Sequence, residues 1–196
     1  MKKTTYLLSL LVLAIIACEE TEEVGKYDNW QARNEAFIDS LQNIYDAKSD
    51  LELLSVIDQR DKKQRIFYKK LPESTIEGNE FPQLTSSVNV FYRGMLLNEQ
   101  ILATALSPKY YTSLYKKLDV FDQNFTGDIP SEFDNFTTFK VSELISGWIE
   151  ILQHMKIGER WEIYIPWKVA YGSEKYDVIP GYSTLIFYLQ LENIKN

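Results

Sequence analysis

Residues 88–96 read VNVFYRGML, a stretch in which β-branched and aromatic side chains recur with a period of two. That period and that composition are typical of a β-strand. The same enrichment marks the segments 66–70, 161–166 and 184–191. Pro72, Gly78 and Pro82 supply turn signals between these segments. The chain after Arg65 is therefore predicted to consist mainly of strands.

One helix interrupts these strands. Ser142 is the predicted N-cap, Trp148, Leu152 and Met155 follow at i, i+4 and i+7, and Gly158 is a stop signal. Strands that close on a single short helix predict an α+β fold with an antiparallel sheet.

Several short motifs follow one another in a fixed order over about residues 66–194. They are VNVFYRGML at 88–96, Phe121-Asp122, Leu144-Ile145-Ser146-Gly147-Trp148, MKIGER at 155–160, Ile165-Pro166 with Ala170-Tyr171-Gly172, and Ile179-Pro180 with STLIF at 183–187. In this order they resemble the FKBP-type peptidyl-prolyl cis-trans isomerases, the immunophilins that bind tacrolimus and rapamycin. The resemblance implies a half-barrel of about five or six antiparallel strands wrapped around the helix.

The resemblance also implies a shallow aromatic pocket that accepts a prolyl ring. Trp148 would form its floor, and its polar groups would be Asp122 and Tyr171. Its apolar walls would be Tyr92, Phe121, Leu144, Ile145, Val178, Ile179 and Phe187. In the family, a backbone N–H at the position of Ile145 and a hydroxyl at that of Tyr171 bond the carbonyl groups of the substrate.

These residue types suit the chemistry of prolyl isomerisation. Rotation about a peptide bond meets a barrier of about 18–20 kcal/mol, and a dry cavity that fits the twisted amide lowers it. The reaction calls for no nucleophile, metal or cofactor. Asp122 is expected to be a partly buried carboxylate held by a hydroxyl or a basic side chain. Gly147 is expected to permit either close packing or an unusual backbone angle beside the pocket.

Composition excludes other classes of function. The chain has one histidine, His154, and one cysteine, Cys18, so neither a Ser-His-Asp set nor a metal cluster is expected. Its net charge is -7 without any block of basic residues, which argues against nucleic acid as a partner.

The first residues indicate export. Residues 1–17 combine a positive start with an apolar run that is too short to span a bilayer, as in a signal peptide. Cys18 follows directly and resembles the acylated cysteine of a bacterial lipoprotein; a free cysteine after an ordinary signal peptide is the alternative. Residues 18–27 then form an acidic tether. These features predict a lipid-anchored protein of a Gram-negative cell envelope, on the periplasmic or the surface-exposed side of the outer membrane.

Residues 28–65 are predicted to be a helical segment. Asp28 and Gln31 resemble a capping box at the start of a helix over about 28–48, and Ser49 with Glu52 could begin a second helix. These helices could pack on their own domain or on a second copy in a homodimer, and the pattern favours neither. The remaining residues, 66–196, form the predicted FKBP-like domain.

Two departures from the family pattern leave alternatives open. Residues 98–120 form an insertion rich in tyrosine, and the loop over 173–178 is acidic and aromatic. Near Thr137 the family has a further aromatic wall residue, and both Phe136 and Phe139 flank that position.

We expect an isomerase that acts on proline-containing exported polypeptides. A non-catalytic chaperone or binding lipoprotein on the same fold is the second hypothesis, and a surface lipoprotein that captures a ligand such as a glycan is the third.

Overall fold

The computed structural model describes residues 25–72, 79–97 and 119–195. In chain order the helices and strands are α1 (Trp30–Asp46), β1 (Leu54–Ile57), β2 (Arg65–Lys70), β3 (Ser87–Leu96), β4 (Asp119–Gln123), β5 (Thr137–Lys140), α2 (Ser146–Leu152), β6 (Arg160–Ile165) and β7 (Leu185–Lys195). Short 3-10 turns at Val141–Glu143 and Trp167–Val169 precede α2 and follow β6.

The strands form one antiparallel sheet in the order β1-β2-β6-β7-β3-β4, and β5 pairs with a further part of β3. Every pairing is antiparallel. The α+β prediction is confirmed, including the helix that precedes the sheet and the short helix against it. The described part of the chain has seven strands rather than the expected five or six.

The additional strand corrects the prediction for residues 49–57. A second helix beginning at Ser49 is wrong, because Leu54–Ile57 forms β1 and pairs with β2. Asp50 starts the change of direction, since its carboxylate accepts a hydrogen bond from the N–H of Glu52 at 3.0 Å. Val56 and Ile57 are β-branched, and cross-strand pairing outweighs the helical spacing of the apolar residues. The segment 28–65 is therefore α-helical only over α1.

The helix starts also differ from the predicted caps. Asn29 is the N-cap of α1 and makes no side-chain capping bond, whereas Asp28 accepts a hydrogen bond from the N–H of Gly25 at 2.6 Å. The capping box of Asp28 and Gln31 is therefore wrong. Ser142 lies in the 3-10 turn, and the N-cap of α2 is Ile145.

Helix α2 packs on one face of the sheet, which we call the inner face. A Cβ atom at Gly147 would lie 2.4 Å from Cγ2 of Ile165, so only glycine lets the first turn of α2 approach β6 this closely. Of the two roles expected for Gly147, close packing is confirmed, and an unusual backbone angle is not found, because its φ is not positive. Trp148, Ile151 and Leu152 are buried between this helix and the strands.

Helix α1 covers the opposite, outer face of β2 and β6. The ring of Phe37 lies 5.9 Å from that of Tyr164, and the ring of Tyr45 lies 6.0 Å from that of Phe67. Leu41 is fully buried. Of the two arrangements that the sequence leaves open, the structure shows α1 on its own domain, while homodimer formation stays a prediction.

Ionisable side chains are buried on the outer face, next to α1. Lys69 of β2 bonds the carboxylate of Asp50 at 2.6 Å, and both side chains are almost fully buried. Glu162 is the register partner of Lys69 and accepts a hydrogen bond from the Tyr164 hydroxyl. Burial raises the pKa of Glu162 to about 7, because the bond from Tyr164 and the charge of Lys69 only partly offset the loss of solvent.

Candidate functional site

Five aromatic side chains from five different elements meet on the inner face. The ring of Trp148 on α2 lies 5.1 Å from Phe187, 5.6 Å from Tyr92 and 5.9 Å from Phe139, in each case edge to face. Phe121 lies 5.8 Å from Phe187 in the same arrangement. We call these five residues the aromatic cluster. Edge-to-face pairs at such distances are attractive, so the cluster holds its rings in fixed orientations.

Gly94 makes room for two rings of the cluster. It lies in β3 opposite Asp122 of β4 and Phe187 of β7. A Cβ atom at this position would stand 2.5 Å from Cζ of Phe121 and 2.7 Å from Cε1 of Phe187. Glycine is therefore required there by packing. The sequence analysis quoted Gly94 within a motif without giving it a role, although a glycine in the middle of a strand is a known signal of close approach.

Tyr92 and Asp122 form a polar pair at the edge of the aromatic cluster. The Tyr92 hydroxyl donates a hydrogen bond of 2.8 Å to Oδ2 of Asp122. Burial raises the pKa of Tyr92, and the bond to Asp122 raises it further. The expected hydroxyl partner is confirmed, but the expected partial burial of Asp122 is wrong, because β4 is an edge strand and leaves this side chain exposed.

The link between the 3-10 turn and α2 presents a backbone donor. Leu144 and Ile145 are half-buried and extended, and the carbonyl of Ile145 accepts hydrogen bonds from the N–H groups of Trp148 and Ile149. Among the residues that the structure describes, nothing accepts a hydrogen bond from the N–H of Ile145. Nε1 of Trp148 is buried and likewise makes no hydrogen bond within this part of the chain.

Tyr171 presents a hydroxyl donor on the loop after β6. Its ring stacks on that of Tyr176 at 4.2 Å with an angle of 7° between the planes. Within the described ranges its hydroxyl has no hydrogen-bond partner. Burial raises the pKa of Tyr171, and so do the neighbouring Tyr176 and the negative charge of Asp122. The hydroxyl therefore remains a proton donor at neutral pH.

The turn that follows separates two predicted wall residues. Tyr176 and Ile179 exchange backbone hydrogen bonds of 3.0 and 2.8 Å, and Asp177 between them has a φ of 51°. Ile179 is 4% exposed and belongs to the core, whereas Val178 is 57% exposed. The structure thus brings Ile179 to the core beside the aromatic cluster and leaves Val178 at the solvent side of the turn.

Of the two aromatic residues that flank Thr137, Phe139 and not Phe136 packs against Tyr92 and Trp148. Phe139 lies 5.7 Å from Tyr92, while Phe136 contacts Phe91 at 6.4 Å instead. Alternation along β5 could have indicated this, because Thr137 and Phe139 are two residues apart and share a face of the strand.

Some predictions concern residues outside the described ranges. Cys18 and the signal peptide lie there, and so does most of the insertion at 98–120, of which only 119–120 belong to β4. In the described part of the chain, no helix is both long enough and apolar enough to cross a membrane.

Comparison with known proteins identifies the class. A family model described as FKBP-type peptidyl-prolyl cis-trans isomerase matches residues 78–192, which is more than half of the chain. The chain belongs to this family.

Three individual proteins illustrate the similarity. The macrophage infectivity potentiator of Trypanosoma cruzi is 39% identical over 88 residues, which cover 44% of this chain and 42% of that protein. The outer membrane protein MIP of Legionella longbeachae is 42% identical over 59 residues, covering 30% of this chain and 25% of that protein. The crystal structure of FkpA from Escherichia coli superimposes with a TM-score of 0.57 at 22% identity, covering 87% of this chain and 63% of that one. The matched region thus spans less than half of either curated relative.

Proposed function

We propose that this protein is a peptidyl-prolyl cis-trans isomerase that acts on X-Pro bonds of exported polypeptides. The observation that carries the proposal is the combination of the aromatic cluster with two donors, the N–H of Ile145 and the hydroxyl of Tyr171, that have no acceptor among the described residues. An apolar surface and unpaired donors are together what a prolyl amide needs. Membership of the family supports the same activity.

The proposed mechanism works by desolvation and fit. The pyrrolidine ring would rest on the indole of Trp148, between Tyr92 and Phe187, with Phe121, Leu144, Val178 and Ile179 as further contacts. The two donors would bond carbonyl groups of the peptide and replace water. A site that fits the twisted amide better than either planar form lowers the barrier, and each 1.36 kcal/mol of that preference is worth about tenfold in rate.

Asp122 has a positioning role in this proposal. Its carboxylate accepts a hydrogen bond from the Tyr92 hydroxyl, which fixes one wall of the aromatic cluster. The raised pKa of Tyr92 keeps the proton on the phenol. Isomerisation transfers no proton, so neither residue is needed as a base.

A peptide isomerisation assay tests the activity with protein that lacks residues 1–18. We expect acceleration of cis-to-trans conversion in a short X-Pro peptide. Tyr171→Phe should lower kcat/KM about tenfold, because it removes one hydrogen bond to the substrate.

Tyr176→Phe is the matched control. It removes a hydroxyl from the ring stacked on Tyr171, and we expect kcat/KM to change by less than about twofold, since that ring is 56% exposed. A wild-type protein that does not accelerate the reaction above the rate in buffer would refute the proposed activity. Equal losses in both variants would refute the role of Tyr171.

We further propose that Cys18 anchors the protein by lipid to the outer membrane of a Gram-negative cell. The apolar run before Cys18 and the acidic residues after it support this, and one relative is named as an outer membrane protein. Several acyl chains on one residue give stable anchoring. Labelling cells with a fatty acid should mark the wild-type protein and not Cys18→Ser; label on both proteins would contradict the proposal.

A further inference from the structure

Helix α1 reaches the segment 166–184, which carries Tyr171 and Ile179, through a buried asparagine. Asn34 is fully buried, and its Oδ1 accepts a hydrogen bond of 2.7 Å from the backbone N–H of Thr184. Its Nδ2 donates 2.8 Å to the carbonyl of Trp30 one turn earlier, which fixes the orientation of the amide. A buried amide with both ends bonded is costly to disturb.

A second bond joins the same two elements. Nε1 of Trp30 donates to Oγ of Ser183 at 2.9 Å, and this contact is buried. The Ser183 hydroxyl in turn donates to the carbonyl of Pro180 at 2.6 Å. Trp30 is therefore connected through one side chain to the residue that directly follows Ile179.

The other end of the segment also contacts α1. Nε1 of Trp167 donates to Glu35 at 3.3 Å, and its ring packs edge to face on Tyr182 at 5.0 Å. Inside the segment, Gly172 donates its N–H to the carbonyl of Trp167, and Tyr182 donates to the carbonyl of Gly172. The backbone around Tyr171 is thus tied to both attachment points on α1.

The segment depends on these contacts because it has little strand pairing of its own. Between β6 and β7 its ladder contact within the described chain is the single bridge of Tyr176 with Ile179. Thr184 comes just before β7, and its N–H finds its acceptor in a side chain 150 residues away. The position of the segment therefore depends on turn hydrogen bonds within it and on its contacts with α1, rather than on pairing in the sheet.

We propose that Asn34 is a positioning residue for the isomerase site, acting through Thr184 on the segment that bears Tyr171 and Ile179. Trp30 supports the same segment through its hydrogen bond to Ser183. Helix α1 is then part of the catalytic unit, although it lies on the outer face of the sheet. This inference rests on the proposed function, since the position of the Tyr171 hydroxyl matters only if it bonds a substrate.

The test compares two substitutions in α1. Asn34→Ala removes the side-chain acceptor of the Thr184 backbone N–H but keeps the backbone carbonyl that accepts from the Thr184 hydroxyl. Leu41→Ala removes a fully buried apolar side chain of the same helix, which makes no hydrogen bond to the segment. Both should lower the midpoint of urea unfolding. The peptide assay is then run without urea, where both variants are folded. Under this condition we expect kcat/KM to fall about tenfold in Asn34→Ala and less than about twofold in Leu41→Ala.

Two further measurements separate positioning from general destabilisation. Amide hydrogen exchange in peptides covering 170–184 should rise more in Asn34→Ala than in Leu41→Ala, and Trp30→Phe should show a smaller rise. In a Tyr171→Phe background, Asn34→Ala should cost less than it does in the wild type, since both changes act on one hydrogen bond.

Each outcome decides something. Equal losses of kcat/KM in Asn34→Ala and Leu41→Ala, or unchanged exchange over 170–184 in Asn34→Ala, would overturn the positioning role. If the losses of kcat/KM in Asn34→Ala and Tyr171→Phe are fully additive, Asn34 does not act through the Tyr171 hydroxyl, and that part of the proposal is overturned. A wild-type protein without activity would refute the proposed function instead, and the exchange data would then still decide whether Asn34 holds the segment.

Discussion

In the wild-type protein the free energy of unfolding should decrease as the pH rises, and replacing Glu162 by glutamine should abolish most of that decrease. Glu162 is buried on the outer face of the sheet, beside Lys69 and under the hydroxyl of Tyr164. Glutamine keeps the shape and an oxygen that accepts the bond from Tyr164, but it cannot ionise. The substitution therefore isolates the cost of a buried charge.

The magnitude follows from the pKa. Burial raises the pKa of Glu162 from an ordinary 4.5 to about 7. The folded state therefore holds its proton more tightly than the unfolded state, so the free energy of unfolding falls as the pH rises from 4.5 to 7 and is level above that. At 1.36 kcal/mol for each pKa unit, the full loss is about 3 kcal/mol.

Asp58 titrates outside this window. Burial disfavours its ionised form, but hydrogen bonds from Asp61 and Arg60 outweigh burial and lower its pKa below 3.8. Its contribution to stability is complete above the unfolded pKa and is lost only as the pH falls through the lower folded pKa. It therefore does not mask the change at Glu162.

Urea unfolding at a series of pH values measures the effect. Between about pH 5 and about pH 8 the wild-type free energy should decline, and Glu162→Gln should show a decline smaller by about 2–3 kcal/mol. Glu192→Gln, at an exposed position, is the control and should follow the wild type. A wild-type curve that is level in this range, or a Glu162→Gln curve parallel to it, would refute the assignment of a buried, late-titrating carboxyl.

Other substitutions test the site. Gly94→Ala should cost about 1–3 kcal/mol of stability by overpacking and should lower kcat/KM, as urea unfolding and the peptide assay will show; unchanged values would mean that the rings can move aside. Asp122→Asn, which can still accept from Tyr92, should keep more activity than Asp122→Ala, and the reverse order in the same assay would count against a positioning role. Phe139→Leu should weaken peptide binding by about 1 kcal/mol through its lost contact with Trp148; calorimetric titration that shows wild-type affinity would exclude Phe139 from the site.

Much of the inner face was predictable from the sequence, because its strands alternate with a period of two and its site residues lie in recognisable motifs. Strands β3 and β7 carry a period of two, and the resemblance to the family implies that Tyr92, Asp122, Trp148 and Phe187 lie near one another. The structure confirms this proximity through ring contacts and the bond between Tyr92 and Asp122.

The outer face was harder to predict, because its key residues carry no pattern. Asn34 on a helix and Glu162 in a strand are polar, and polar residues are usually solvated. Their burial depends on α1 lying across β2 and β6, and Asn34 finds its partner 150 residues along the chain. No local spacing signals such a pair.

The error at Leu54–Ile57 has a related cause. Closely spaced apolar residues fit a helical face about as well as a strand, and short apolar runs do not decide between them. What decides here is the free edge of β2, which offers hydrogen-bond partners to whichever segment reaches it.

Helix α1 and strands β1 and β2 cover parts of the sheet that a shorter fragment of this chain would expose. The region shared with the family begins at residue 78, after all three elements have ended. A piece trimmed to that boundary would leave one edge of β6 without its neighbour and expose Tyr164 to water. Bare edges and uncovered apolar surface promote aggregation. We therefore expect a fragment that begins at residue 78 to be less stable and more prone to aggregation than the full chain.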